Sequence, residues 1–175
     1  MPDSRRIVID ASVARSAGSG KNANELSGPC RAVLNVVADL HRVAFSAESF
    51  EEWKRHERDF ARRWRVRMVA RKRVVFLRDT EDSSLRDDLA SSCRSARDQK
   101  AIRKDAHLIE AAVRTDRIVI SRDDTVRNLF RRACQTIRQV REVLWANPEV
   151  EEEQVAAWLQ DGARDEPVRK LGYGG

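Results

Sequence analysis

Cysteine is scarce in this chain, glycine and proline are missing from its middle, and each absence narrows what it is. Cys30, Cys93 and Cys134 are its only cysteines. An odd number at such wide spacing offers neither a disulfide framework nor the paired ligands of a zinc site, so all three are expected as reduced, mostly buried thiols. His41, His56 and His107 are equally scattered, and none is assigned to a metal. Residues 30–147 contain no glycine and no proline, which leaves no flexible linker and argues for one continuous, helix-rich unit. No apolar run is long enough to span a membrane, and the first residues, Met-Pro-Asp-Ser-Arg-Arg, lack the apolar core of a signal peptide. A cytoplasmic protein with no membrane partner is expected.

Charge is abundant. The net charge of +6 is held unevenly. Residues 54–73 carry ten basic side chains against two acidic ones, a balance of +8, while the segment from Trp145 onward carries three against seven, a balance of −4. A basic stripe that includes Arg62, Arg63, Arg65 and Arg67, beside an acidic cleft, suits a polyanionic substrate, although a charge run on a helix is also an ordinary solvated face.

The informative stretch is residues 104–124. Ala106, Leu108, Ile109, Ala112 and Val113 recur at helical spacing, and Ile118-Val119-Ile120 follows as a buried strand that ends on Ser121-Arg122-Asp123-Asp124. The N-terminus repeats the pattern, with Ile7-Val8-Ile9 ending on Asp10 and Ser12 two residues on. If the two strands are parallel neighbours, Asp10, Asp105 and Asp123 converge at the carboxyl edge of a sheet, where open α/β sheets place ligands. Such a carboxylate cluster is neutralised by a divalent cation. The plainer reading is that Asp10 and Asp123 cap the helices that follow.

Between these stations the chain reads as alternating helices and strands. A helix opens at Pro29, and Val43-Ala44-Phe45-Ser46 is a strand. A long helix from Ala47 keeps Phe50, Trp53, Phe60, Trp64 and Met68 on one face and sets Glu52 beside it. Periodicity leaves Val74-Val75-Phe76-Leu77 open between helix and strand. Helices are expected over residues 80–96 and 125–138, a last strand at Val143-Leu144-Trp145, and a C-terminal helix capped by Asn147-Pro148 with Glu149, Glu151, Glu152 and Glu153 near its start. The Gly-Ser-Gly-Lys segment near residue 20 is not a phosphate-binding loop. The earlier glycine position is Arg15 and the hydroxyl position is Asn22, so a mobile connection is expected. The pattern predicts an α/β fold, a three-layer α/β/α sandwich with a mostly parallel central sheet.

With its acids in place the chain resembles the PIN-domain family of metal-dependent ribonucleases, which includes toxins of toxin-antitoxin pairs. The resemblance rests on Ile7-Val8-Ile9-Asp10-Ala11-Ser12, on Ser46-Ala47-Glu48-Ser49-Phe50-Glu51-Glu52-Trp53, on Lys104-Asp105-Ala106-His107-Leu108, and on Val119-Ile120-Ser121-Arg122-Asp123. It implies a PIN-like nuclease domain over residues 1–147 and an acidic C-terminal helix and tail over 148–175. It also implies catalytic acids Asp10, Glu52, Asp105 and Asp123, with Mg²⁺ or Mn²⁺ held by Asp10, Asp105, Asp123 and an auxiliary Asp124. Ser12 and Ser121 would orient the carboxylates. The implied activity is endonucleolytic cleavage of single-stranded or structured RNA, with an antitoxin or other protein, or a second copy of the chain, as further partners. The alternative is a PIN-like adaptor that binds RNA or protein without cutting. A phosphatase of the haloacid-dehalogenase type also begins with strand and Asp, but it requires a second Asp where Ser12 stands.

Overall fold

A computed structural model describes residues 4–18 and 28–174. Five short strands, β1 (Arg6–Ile9), β2 (Arg42–Phe45), β3 (Val74–Phe76), β4 (Ile118–Ile120) and β5 (Leu144–Ala146), form one all-parallel sheet in the order β3-β2-β1-β4-β5. The non-alternating runs at Ile7-Val8-Ile9 and Ile118-Val119-Ile120 belong to interior strands covered on both faces, which is why neither carries a polar residue.

Side chains alternate across the sheet and divide the core in two. Ile7, Ile9, Val43, Phe45, Ile118 and Ile120 meet α1 (Ala11–Ser16), α2 (Gly28–Leu40), α3 (Ala47–His56), α4 (Asp59–Ala70) and, later in the chain, α9 (Val155–Gln160). Val8, Ala44, Val119 and Trp145 meet α5 (Ser83–Ser91), α6 (Ala96–Val113), α7 (Asp124–Ala133) and α8 (Arg138–Arg141). The result is a three-layer α/β/α sandwich. No helix of the described residues is long and apolar enough to cross a membrane.

Several element boundaries differ from those expected, each for a local reason. The long helix from Ala47 is two helices, because Glu57 leaves the helical region at φ −63°, ψ 137°. Its carboxylate accepts two hydrogen bonds from Arg65, at 2.8 and 2.7 Å. Trp64 and Met68 still point inward, so the aromatic spacing runs straight through the break. Ser46 belongs to no strand. It caps α3, exchanging hydrogen bonds with Ser49 in a capping box. Val74-Val75-Phe76 is the edge strand β3.

The helix expected over 80–96 is shorter. Asp82 starts it by accepting a hydrogen bond from Leu85 N at 2.9 Å, and it ends at Ser91. Residues 125–138 do not form one helix either: α7 stops at Ala133, and extended Ile137 stays buried while the chain turns into α8. Asn147-Pro148 opens a turn and not a helix. Glu151–Glu153 forms one 3-10 turn, and Gln154, left-handed at φ 43°, separates it from α9, so the glutamates precede that helix. Apart from Ala17 and Gly18, the expected mobile connection lies outside the described residues.

The tail is built into the body of the protein. Val155, Trp158 and Leu159 share a buried cluster with β1. Glu153 accepts from Arg127 at 2.5 Å and from Asn147 N at 2.9 Å, and its own carbonyl accepts from Arg169 at 2.6 Å. On the same side of the sheet, half of the ten aromatic residues make one continuous series. Trp64, Trp53, Phe45, Phe50 and Phe76 follow one another with ring centroids 5.2–5.4 Å apart, from the core to the outer strand.

Candidate active site at the carboxyl edge of the sheet

The strand order reverses between β1 and β4, since β2 and β3 lie on one side of β1 and β4 and β5 on the other. The carboxyl edge beside that switch point is where loops part and leave a crevice. Asp10 and Ser121 leave the sheet there side by side.

Asp10 occupies the residue before α1 but its side chain makes no capping bond. Its Oδ2 instead accepts from Ser12 Oγ at 2.5 Å and from Ser121 Oγ at 2.8 Å. The same hydroxyl oxygens accept in turn, Ser12 from Arg122 N at 3.2 Å and Ser121 from Asp123 N at 3.1 Å. Each hydroxyl hydrogen is therefore committed to Asp10, and the carboxylate is locked to the start of α1 and to Ser121, 111 residues further along the chain.

Asp123 behaves as the plainer reading has it. Its Oδ1 accepts from Val126 N at 2.9 Å and caps α7. Asp124 turns away, with Oδ2 accepting from Asn147 Nδ2 at 3.0 Å and Oδ1 3.6 Å from Arg127. It is spoken for by the turn after β5, so the auxiliary metal role expected of it is not reflected in its contacts.

Asp105 and Glu52 approach from α6 and α3. Burial raises the Asp105 carboxyl to about 6, and the charges of Asp10 and Glu52 push it the same way, against Lys104 and His107. Glu52 Oε2 lies 3.3 Å from His107 Nε2, and Oε1 lies 3.9 Å from the exposed Lys104 ammonium. Among the described residues, no group of three or more His, Cys, Asp and Glu side chains stands arranged to hold a metal ion. The donors that approach one another here are hard carboxylate oxygens, the kind Mg²⁺ and Mn²⁺ take.

His107 was not singled out in the sequence, where a histidine amid Ala106, Leu108 and Ile109 looks like core. It is 2% exposed, with Nδ1 against Lys104 O at 3.0 Å and Nε2 against Glu52. Behind it, Glu48 binds Arg86 at 2.8 Å, and Arg86 also grips the buried Glu110 through two hydrogen bonds, 2.7 and 2.8 Å. The signal was the i, i+4 pair of acids, Glu48 and Glu52, on one face of α3. Like charges at that spacing need cations opposite them.

The basic stripe lies along the flank of the sheet. Helix α4 carries the chain from the acid edge toward the amino edge where β3 starts, and Arg71 lies 3.8 Å from Asp39 near the end of α2. The exposed Arg62, Arg63 and Arg67 thus run down the flank, while Arg65 is turned back onto Glu57. Cations beside the acids are others: Lys104, whose charge acts on Asp105, and Arg122, which feels the charge of Asp10 and whose Nε lies 2.7 Å from Glu149 in an ion pair poorly aligned for a hydrogen bond.

The raised Asp105 carboxyl has a measurable consequence. Since its folded pKa of about 6 lies above the ordinary 3.8, the folded chain holds more protons than the unfolded one between these values, and stability falls as pH rises through that window. In EDTA, wild type should lose about 1–2 kcal/mol from this group by pH 7, after discounting for partial contact with water. Asp105→Asn should lose less. Urea unfolding of both chains at pH 4.5 and 7.5 measures the difference, and parallel pH profiles would count against the cluster.

Comparison of the chain with protein-family models, with curated proteins and with solved structures found no match.

Proposed function

We propose that this chain is a metal-dependent endoribonuclease of PIN-like design, with Asp10, Glu52, Asp105 and Asp123 as its acids and RNA as its substrate. The observation that carries the proposal is Asp10. It is a carboxylate at the switch point of the sheet that forgoes the capping role its position offers and is held by two serine hydroxyls toward Asp105.

Asp10, Asp105, Asp123 and Glu52 would hold Mg²⁺ or Mn²⁺, which lowers the pKa of bound water and offsets charge growing on a phosphate. Ser12 and Ser121 fix the direction of the Asp10 lone pairs. His107 and Lys104 restrain Glu52. Lys104 and Arg122 bring positive charge beside the acids, where a phosphate backbone needs it, and Arg62, Arg63 and Arg67 extend that attraction along the flank without reading sequence. A toxin acting on cellular RNA and controlled by a protein partner is the role this activity would serve.

Purified protein is expected to cut single-stranded RNA in Mn²⁺ or Mg²⁺ and to stop on addition of EDTA. Inertness toward every RNA tried with either metal would reject the enzyme and favour an adaptor, in which the Glu52–His107 contact is simply structural.

A further inference from the structure

We propose that Phe76, backed by Phe50, is a stacking platform for an unpaired base of single-stranded RNA flanking the phosphate at the acid edge, an inference that rests on the ribonuclease reading. Phe76 is 57% exposed although it ends a strand. A single exposed phenylalanine is ordinary on a protein surface, but three features set this one apart.

The first is support. The Phe76 ring meets Phe50 edge to face, centroids 5.2 Å apart and planes at 83°, at the outer end of the series that begins at buried Trp64. Its orientation is already fixed, so little conformational freedom remains to be lost on binding. The second is place. Phe76 is paired with Phe45, one residue beyond the Ala44–Val8 pair, and therefore stands at the carboxyl edge two strands from Ile9-Asp10. Two strand spacings are roughly 10 Å. Phe50 also shares α3 with Glu52.

The third feature is charge. Exposed Arg78 follows two residues after Phe76, and Lys54 Nζ and Arg65 Cζ lie 4.9 and 5.5 Å from the centroid of the supporting Phe50 ring, each also paired with a glutamate, Glu51 and Glu57. An exposed aromatic ring with cations nearby is complementary to a base carried on a phosphate chain. A double helix keeps its bases stacked on one another, so the platform selects unpaired nucleotides.

The test is anisotropy of a short labelled oligoadenylate and of its abasic counterpart in EDTA, so that binding is read without cleavage. Phe76→Leu should weaken oligoadenylate binding about 5- to 150-fold, whereas Phe76→Trp should keep it. All three proteins should bind the abasic chain alike. Unchanged oligoadenylate binding by Phe76→Leu, or equal loss on both chains, overturns the platform, and the latter outcome leaves the edge of β3 to some other contact. Wild type that cuts RNA while Phe76→Leu binds normally rejects the platform alone. Wild type that neither binds nor cuts rejects both proposals.

Discussion

Replacing Asp10 with asparagine is expected to abolish metal-dependent RNA cleavage, by about a thousandfold or more, while leaving the metal-free protein at least as stable as wild type. The two parts have separate causes. Asparagine retains one carbonyl oxygen, which can still accept from Ser12 and Ser121, but it removes a full negative charge and a strong ligand. Such a loss at a cation site costs several kcal/mol of transition-state stabilisation, and about 4 kcal/mol is a thousandfold. The same substitution removes one of the charges that raise Asp105. Relief of that repulsion should add about 0.5–1 kcal/mol at neutral pH, where Asp105 is ionised. Cleavage assays in Mn²⁺ paired with thermal unfolding in EDTA report both quantities. Cleavage at wild-type rate would remove Asp10 from the chemistry, and a clear loss of stability would make it a structural residue.

The layout of the sheet was legible because β1 and β4 are buried on both faces and so carry unbroken β-branched runs. The acids that end them marked the edge that matters. Other features lacked a local signature. The break at Glu57 involves no glycine or proline, and the Phe60, Trp64 and Met68 spacing continues across it, so nothing in the periodicity betrays the turn. Whether an aspartate caps a helix or is aimed elsewhere depends on partners far away in the chain. Asp123 finds Val126 nearby and caps, whereas Asp10 finds Ser121 and does not. The basic stripe was plain as composition, but its course down the flank follows only from the direction in which α4 returns the chain to β3.

Glu153→Ala should be the most destabilising single substitution in the tail, by about 3–5 kcal/mol. Arg127 and Arg169 are each only 8% exposed. Arg127 donates to Glu153 Oε1 at 2.5 Å, and Arg169 Nη1 lies 3.7 Å from Oε2. Removing the shared carboxylate takes the hydrogen-bonded partner from buried Arg127, leaving it Asp124 at 3.6 Å, while Arg169 keeps Glu166 at 2.6 Å; breaking such a buried pair costs far more than the intact pair contributes. Asn147 N would also lose its acceptor at the turn after β5. At 2–4 °C per kcal/mol for a protein of this size, the melting temperature should fall by on the order of 10 °C. Glu153→Gln, which keeps an acceptor for Asn147 N, should fall between wild type and alanine. A melting point within about 2 °C of wild type for the alanine variant would show that the tail is held by its apolar contacts alone.

The position of β1 at the centre of the sheet has a consequence for how the protein is made. During synthesis β1 finds β2 after some 36 residues, since Arg6 pairs with Arg42, but its other edge stays open until Ile118 arrives, 111 residues after Ile7. Pairings of such separation close slowly, and an apolar edge left open invites pairing with another nascent chain. The Asp10–Ser121 hydrogen bond depends on that same late closure. A chain built this way cannot assemble the carboxyl edge around Asp10 before β4 arrives, and any fragment ending before β4 should be an aggregating product that lacks that site.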